Sequence, residues 1–232
     1  MARVSAAERR QELIDAAVLV ISESGVDGAT TRRIAERAGA PLATLHYCFA
    51  SKELLFAAVY EHIAGQYREV LTASDAHGDI ATTARALMRG ILEWYIANPE
   101  TAAAIFELIS WAQRQDSAKA TSVYDEANTT ALEILVADAQ ASGERVDIDT
   151  LERLAHVVTV LCDGFAINWM VLRAAGRQPE IDLAIGVLDA WMAANLPDAA
   201  GAPPAGGTDT VRPGSAGSGD SIAGLLSWVE AG

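Results

Sequence analysis

Between Gly28 and Phe56 this 232-residue chain reads GATTRRIAERAGAPLATLHYCFASKELLF, and side chains able to meet a phosphate or a base edge gather in that stretch. Thr30 and Thr31 place hydroxyls at the start of a helical pattern, where the first backbone N–H groups are open to an anion. Arg32, Arg33 and Arg37 add positive charge, and Arg33 and Arg37 are four apart and share a face. Lys52 stands in the first turn of a later helix, so its ammonium and the helix N-terminus can act on one phosphate. Between these cations lie Leu42, Ala43, Thr44, His46 and Tyr47. Leu42 and Ala43 suit a thymine methyl, Thr44 and His46 can hydrogen-bond bases or phosphates, and Tyr47 can reach the backbone. No arginine lies in this segment, so bidentate guanine readout is not expected from it. Specificity then draws on methyl contacts, the reach of Arg33 and the shape of the duplex.

Bond-making chemistry finds no comparable foothold. The four histidines, His46, His62, His77 and His156, form no H-E-x-x-H pattern, and Cys48 and Cys162 form no C-x-x-C pair. No metal site is expected from such spacings, no cofactor is implied, and no nucleophile, base and orienter can be assembled for a catalytic site. Two cysteines allow at most one disulfide, and nothing argues for that one.

These candidate residues need rigid elements to hold them, and the apolar pattern supplies helices. Leu13, Ile14, Ala17, Val18 and Ile21 mark one face of a helix from about Ser5 to Ser24, ended by Gly25 and Gly28. Thr30 caps a short second helix with Ile34, Ala35 and Ala38 inward, and Gly39 stops it. Pro41 opens a third short helix that Phe49 closes. Ser51 caps a fourth, reaching about Leu71. Further helices are predicted at roughly Ile80–Ala97, Pro99–Gln113, Ala118–Ser142, Asp149–Ala175 and Ile181–Leu196. No segment alternates with period two between hairpin signals, so the fold class is all-α. Two short helices joined at a tight Gly39 turn, closed by a third element, have helix-turn-helix geometry.

At Thr30-Thr31-x-x-Ile34-Ala35-x-x-Ala38-Gly39, then Leu45, Tyr47, Phe49 and Ser51-Lys52-Glu53-x-Leu55, the sequence resembles the TetR family of bacterial one-component transcriptional regulators. Asp163-Gly164-Phe165 in a long penultimate helix is also similar to that family. Pro41, Ala43 and His46 depart from it, standing where a small polar residue, glycine and tyrosine are frequent. The resemblance implies an N-terminal helix-turn-helix DNA-binding domain at 1–53, with helix 4 (about 51–71) leading into a larger helical ligand-binding and dimerisation domain at 54–196. It implies a regulator rather than an enzyme, most simply a repressor binding a palindromic double-stranded operator. It also implies a homodimer through the last two helices. Leu151, Leu154, Val158, Leu161, Phe165 and Leu172 run along one of these helices, Val157, Val160 and Ile167 are apolar elsewhere around it, and Ile181, Ile185, Leu188 and Met192 stripe the other. A small effector is expected among helices 4 to 8, mostly apolar or aromatic. Its candidate contacts are Trp94, Tyr95, Phe106, Trp111, Tyr124 and Trp169, with Cys162, Asn168 or His156 as polar handles. The alternatives are a small-molecule carrier or enzyme on the same scaffold, or a protein-interaction module.

Residues 197–232 change composition to Gly- and Pro-rich coil, ending in a small apolar cluster of Ile222, Leu225, Leu226, Trp228 and Val229. The chain as a whole is 51% hydrophobic with a formal net charge of −14, which taken alone argues against a non-specific nucleic-acid coater. Residues 28–52 reverse that sign locally, with Arg32, Arg33, Arg37 and Lys52 against Glu36 alone. At a Debye length of about 8 Å most of the acidic body is screened from a contact made there, and its acidity discourages indiscriminate binding. The N-terminal residues lack a signal-peptide core. The mostly apolar run Leu154–Leu172 carries Asp163, His156 and Asn168, which suits a buried helix better than a membrane span. A cytoplasmic protein with no membrane partner is expected.

Overall fold

Ser5 opens the first helix with a reciprocal capping box: its hydroxyl accepts from the Glu8 N–H at 3.1 Å, and its own N–H donates to the Glu8 carboxylate at 2.7 Å. Helices then follow one another along the chain: α1 (Ala6–Gly28), α2 (Thr31–Arg37), α3 (Leu42–Cys48), α4 (Lys52–Ser74), α5 (Ile80–Ala97), α6 (Pro99–Gln115), α7 (Ser117–Ser142), α8 (Ile148–Arg173) and α9 (Ile181–Asn195). The computed structural model describes residues 5–115, 117–173, 175–176 and 178–196, without the side chains of 115 and 117–127. Among the described residues there is no strand, in keeping with an all-α protein. The Gly/Pro-rich segment 197–232 with its Trp228 cluster, and the side chain of Tyr124, lie outside the described residues.

Side-chain caps set most of the helix starts the sequence implied. Thr30, Ser51 and Asp79 each accept from a backbone N–H three residues on, each worth about 1 kcal/mol over alanine. Hydrogen bonds from Thr82 hold the Asp79 carboxyl below its ordinary range. The first helix adds one feature to the expectation. Its regular run is interrupted at Gly25 (φ 67°), where the glycine was expected to end it, and a further helical turn follows to Gly28, closed by the Ala29 N–H on the carbonyls of Gly25 and Val26.

Two buried clusters divide the apolar residues. The first joins Leu13, Ile14, Ala17, Val18 and Ile21 of α1 to Ile34, Leu45, Phe49, Leu55, Val59 and Ile63, and takes in Ala104 and Leu108 of α6. The second runs from Leu71 through α5 to α9, with Leu87, Met88, Ile91, Leu92, Leu135, Leu154 and Leu188 at its centre. Helix α4 contributes to both, so any tilt of the head against the body passes through it. The last residue of α4, Ser74, rests in a notch on α5: a Cβ on Gly90 would lie 1.9 Å from its hydroxyl oxygen.

Helix α8 is long and apolar enough to cross a membrane by length and composition. Here its face of Leu151, Leu154, Ala155, Val158, Cys162 and Ala166 lies in the second core, and Asp163 stands at its middle. The apolar stripe expected on α9 needs correcting as an interface. Ile185, Leu188 and Met192 point into the chain's own core, and the outward apolar residues are Leu183 and Val187. Helical periodicity identifies a stripe but not its occupant, and the buried one belongs to the intrachain core.

Candidate nucleic-acid interface

Helix α3 is only seven residues long, so its orientation depends on what grips it. Leu45 is fully buried and Phe49 nearly so, anchoring the inner side of α3 against Ile34 and Ala35 of α2. Between the two helices Gly39 takes φ 61°, the left-handed region where side chains are strained. The turn is locked as the Ala40 N–H donates to the Ala35 carbonyl at 2.9 Å. At the other end the Phe49 N–H donates to the Leu45 carbonyl at 2.8 Å.

With Leu45 inward, Leu42, Ala43, His46 and Tyr47 turn outward together, and Thr44 is half-buried beside them. Tyr47 is 85% exposed and Leu42 41%. An exposed leucine and an exposed tyrosine thus stand on one short, firmly packed helix. Its mix of a methyl-bearing contact, an imidazole and a phenol can read base edges and backbone in a major groove.

The cations fall into two groups that spacing could not separate. Arg33 turns back on the head, donating to the Gly28 carbonyl at 3.0 Å and the Ser24 hydroxyl at 2.7 Å. Arg37 pairs with Glu23 on α1, so these two do share a face, and it is the one toward α1. Lys52 donates to the Val26 carbonyl at 3.1 Å, with its ammonium 4.9 Å from the centre of the Phe56 ring. All three therefore brace the end of α1, and what Lys52 can offer a phosphate is its remaining N–H donors. Arg32 reaches outward and pairs with Glu36 one turn along at 3.0 Å, an exposed contact worth little that an incoming phosphate can replace. Thr30 spends its hydroxyl on the Arg33 N–H at 3.3 Å, while Thr31 is half-buried in the first turn.

One functional neighbour was not legible in the sequence. Arg10 of α1 donates to the Cys48 carbonyl, at the end of α3, at 3.1 Å and lies 4.2 Å over the Phe49 ring. A cation on a carbonyl end complements the helix dipole and ties α3 to α1. Only its partner 38 residues away makes this arginine a positioning residue, and no local pattern announces that.

In the body, Tyr67, Trp94, Tyr95 and Phe106 form a chain of ring contacts with centroids 5.4–6.4 Å apart. The Tyr95 hydroxyl donates to Asp163 at 3.4 Å. Of the expected effector contacts, the structure thus brings together Trp94, Tyr95 and Phe106, with Tyr67 and Asp163 beside them. Trp111 lies elsewhere, edge-on to Phe56 in the first cluster. Trp169 is buried under the guanidinium of Arg173. Asn168 faces outward on α8. Cys162 is fully buried, and burial pushes its thiol well up, so it stays protonated and offers only a weak S–H donor. His156 lines an open groove of about 660 Å³ on the outer side of α8 and α9, with Asp149, Glu152, Arg153, Val157 and Trp191.

Further along that outer side, Val160, Ile167 and Val171 of α8 and Leu183 and Val187 of α9 are all about half exposed or more. Positions 160, 167 and 171 recur at seven and four residues, and 183 and 187 at four, so each set lies along one helix face. Five large aliphatic side chains are thus exposed on two helices that pack against each other.

Comparison with known proteins agrees with this geometry. The family model for bacterial regulatory proteins of the tetR family matches residues 13–59, the segment from the buried face of α1 into α4. The HTH-type nicotine-responsive transcriptional repressor HdnoR of Paenarthrobacter nicotinovorans is 30% identical over 193 residues, covering 82% of this chain and 97% of the relative. A TetR-family member from Streptomyces coelicolor superposes with a TM-score of 0.63 at 25% identity, over 82% of this chain and 99% of that one. A transcriptional regulator from Rhodococcus shares the fold with a TM-score of 0.65 at 18% identity, over 81% and 97%.

Proposed function

This chain belongs to the TetR family of bacterial regulatory proteins, a family of transcriptional regulators and not of enzymes, and from that premise we propose that it is a cytoplasmic repressor. In this reading it binds a palindromic operator as a homodimer and is released by a small, mostly apolar or aromatic effector. Residues 1–53 form the DNA-binding head, 54–196 the sensing and dimerising body, and α4 the lever between them. The observation that carries the reading is the outward face of α3, where Leu42, Ala43, His46 and Tyr47 stand together on a helix held by Leu45 and Phe49.

Dimerisation is assigned to the aliphatic patch on α8 and α9. Two copies meeting there would form a four-helix bundle around Ile167, Val171, Leu183 and their neighbours. The effector is assigned to the ring chain of Tyr67, Trp94, Tyr95 and Phe106. HdnoR is named for its response to nicotine, a pyridine bearing an aliphatic tertiary amine, and an aromatic effector suits these rings, with the Asp163 carboxylate close to Tyr95 for a cationic group. Binding that favours one tilt of α4 would change the distance between the two α3 helices. That distance must be about 34–36 Å, or a multiple, to fit half-sites on one side of the duplex. An effector can shift DNA affinity only by its differential affinity for the two arrangements.

Salt dependence tests the phosphate part of this reading. Titrated with duplex DNA from about 50 to 200 mM salt, the protein is expected to show a slope in log affinity of about −4 or steeper, at roughly −0.9 per neutralised phosphate. A slope near zero would overturn the assignment of the head to the DNA backbone.

A further inference from the structure

The geometry points to a divalent transition-metal site at the end of α4, formed by Asp75, His77 and Asp138. Asp75 caps α4, His77 lies two residues on in the loop to α5, and Asp138 comes from α7. The Nδ1 of His77 is 3.0 Å from Oδ2 of Asp75 and 4.0 Å from Oδ1 of Asp138. One donor atom from each residue can be chosen so that all three lie within 4.8 Å of one another. The spacing hid this set, because Asp138 meets the other two only when α7 packs beside α4 and α5.

Asp138 is what separates this cluster from a chance gathering of surface charge. Its side chain is 7% exposed. One carboxylate oxygen accepts from the Thr83 hydroxyl, while Oδ1, the oxygen facing His77, accepts no hydrogen bond among the described residues. Neither Asp138 nor Asp75 pairs with a lysine or arginine among them. A buried carboxylate oxygen without a donor is costly, and a cation beside His77 would relieve that cost. His77, by contrast, is 81% exposed at its side chain, so its ring can adjust and ligand exchange from solvent is open.

The donor set selects the class of ion. One imidazole nitrogen with two carboxylate oxygens suits Zn²⁺, whose bonds to these atoms are about 2.0–2.2 Å. Tetrahedral ligands at that length are about 3.4 Å apart, so the 3.0 Å pair would open by about 0.4 Å, the 4.0 Å pair would close by about 0.6 Å, and the two carboxylates, within 4.8 Å of each other, would draw in around the ion. Water would take the fourth position. Mg²⁺ and Ca²⁺ prefer all-oxygen shells and are disfavoured by the imidazole. Because the three ligands come from the α4 cap, the following loop and α7, a bound ion would fasten the end of α4 to the body, beside the notch where Ser74 meets Gly90.

The test uses the full chain stripped of metal with a chelator and titrated with ZnCl2 by calorimetry, with MgCl2 as a control. One Zn²⁺ per chain is expected, with a Kd in the low micromolar range and a higher Tm on addition; Mg²⁺ is expected to do neither. His77→Ala, at an exposed position that leaves the core intact, should weaken binding at least tenfold and abolish the Tm shift. Asp138→Asn should also weaken it, circular dichroism confirming that the variant folds. Failure of the parent chain to take up Zn²⁺, or an unchanged affinity and stoichiometry in His77→Ala, would overturn the site.

Discussion

On the proposed dimer of 24.4 kDa chains, replacing Ile167 and Leu183 together by glutamate should leave a monomer and lower affinity for the proposed operator by at least a thousandfold. Both residues are more than half exposed on the single chain, Leu183 at 64%, so water still reaches the new carboxylates in the monomer and its own stability should change little. In the proposed bundle the interface is isologous, and each substitution is met twice. An unpaired charge forced into an apolar contact costs several kcal/mol, and every 1.4 kcal/mol or so is about a tenfold loss of association. Operator binding falls in step because one head reaches only one half-site. Sedimentation velocity and DNA anisotropy on the same preparation check both halves. A doubly substituted protein that still sediments as a dimer would remove α8 and α9 from the interface.

The second large effect is expected on α3. His46→Ala with Tyr47→Ala should weaken operator binding by about 10³-fold or more while leaving Tm nearly unchanged. Both side chains point outward, so their removal opens no cavity. Deleting a side chain that meets a base or the backbone costs about 1–3 kcal/mol, roughly additively, and in a dimer the deletion acts at both half-sites. Binding to random-sequence duplex should fall far less, since it rests on phosphate contacts made by Arg32, Lys52 and helix termini. Equal weakening on operator and random DNA would show that α3 supplies only docking and does not read sequence. Arg10→Ala offers a contrast. It should cost operator affinity by loosening α3 through the Cys48 carbonyl and the Phe49 ring, although Arg10 itself need touch no DNA.

Much of this was legible because local chemistry decided it. Thr30, Ser51 and Asp79 are strong N-cap types at the starts of apolar runs, and Gly39 stands where a helix must turn in the left-handed region. The outward set Leu42, Ala43, His46 and Tyr47 follows once Leu45 is recognised as the anchor, since 3.6-residue geometry leaves those positions on the far side. What the sequence hid depends on contacts between distant segments. Arg33, Arg37 and Lys52 look like DNA-facing cations in a motif, yet Ser24, Glu23 and Val26 of α1 engage them in the folded head. The α9 stripe of Ile185, Leu188 and Met192 looks like a dimer seam until α5 and α8 are seen to cover it, leaving Leu183 and Val187 outside. Trp111 and Trp94 are both tryptophans on apolar faces, and only packing sends one to Phe56 and the other to Tyr67 and Tyr95.

The same distinction resolves the charge. A net −14 describes a body that repels DNA, while the head concentrates its cations at the end of α1 and the start of α2 and α4.

Selection from a pool of random duplexes at about 150 mM salt puts sequence reading by α3 most directly at risk. Enrichment of an inverted repeat is expected, with half-site centres about one helical turn, 34–36 Å, or a multiple apart, and with the enrichment abolished in the protein carrying His46→Ala and Tyr47→Ala. A pool that emerges with no sequence preference, or one whose preference survives that double substitution, would contradict it.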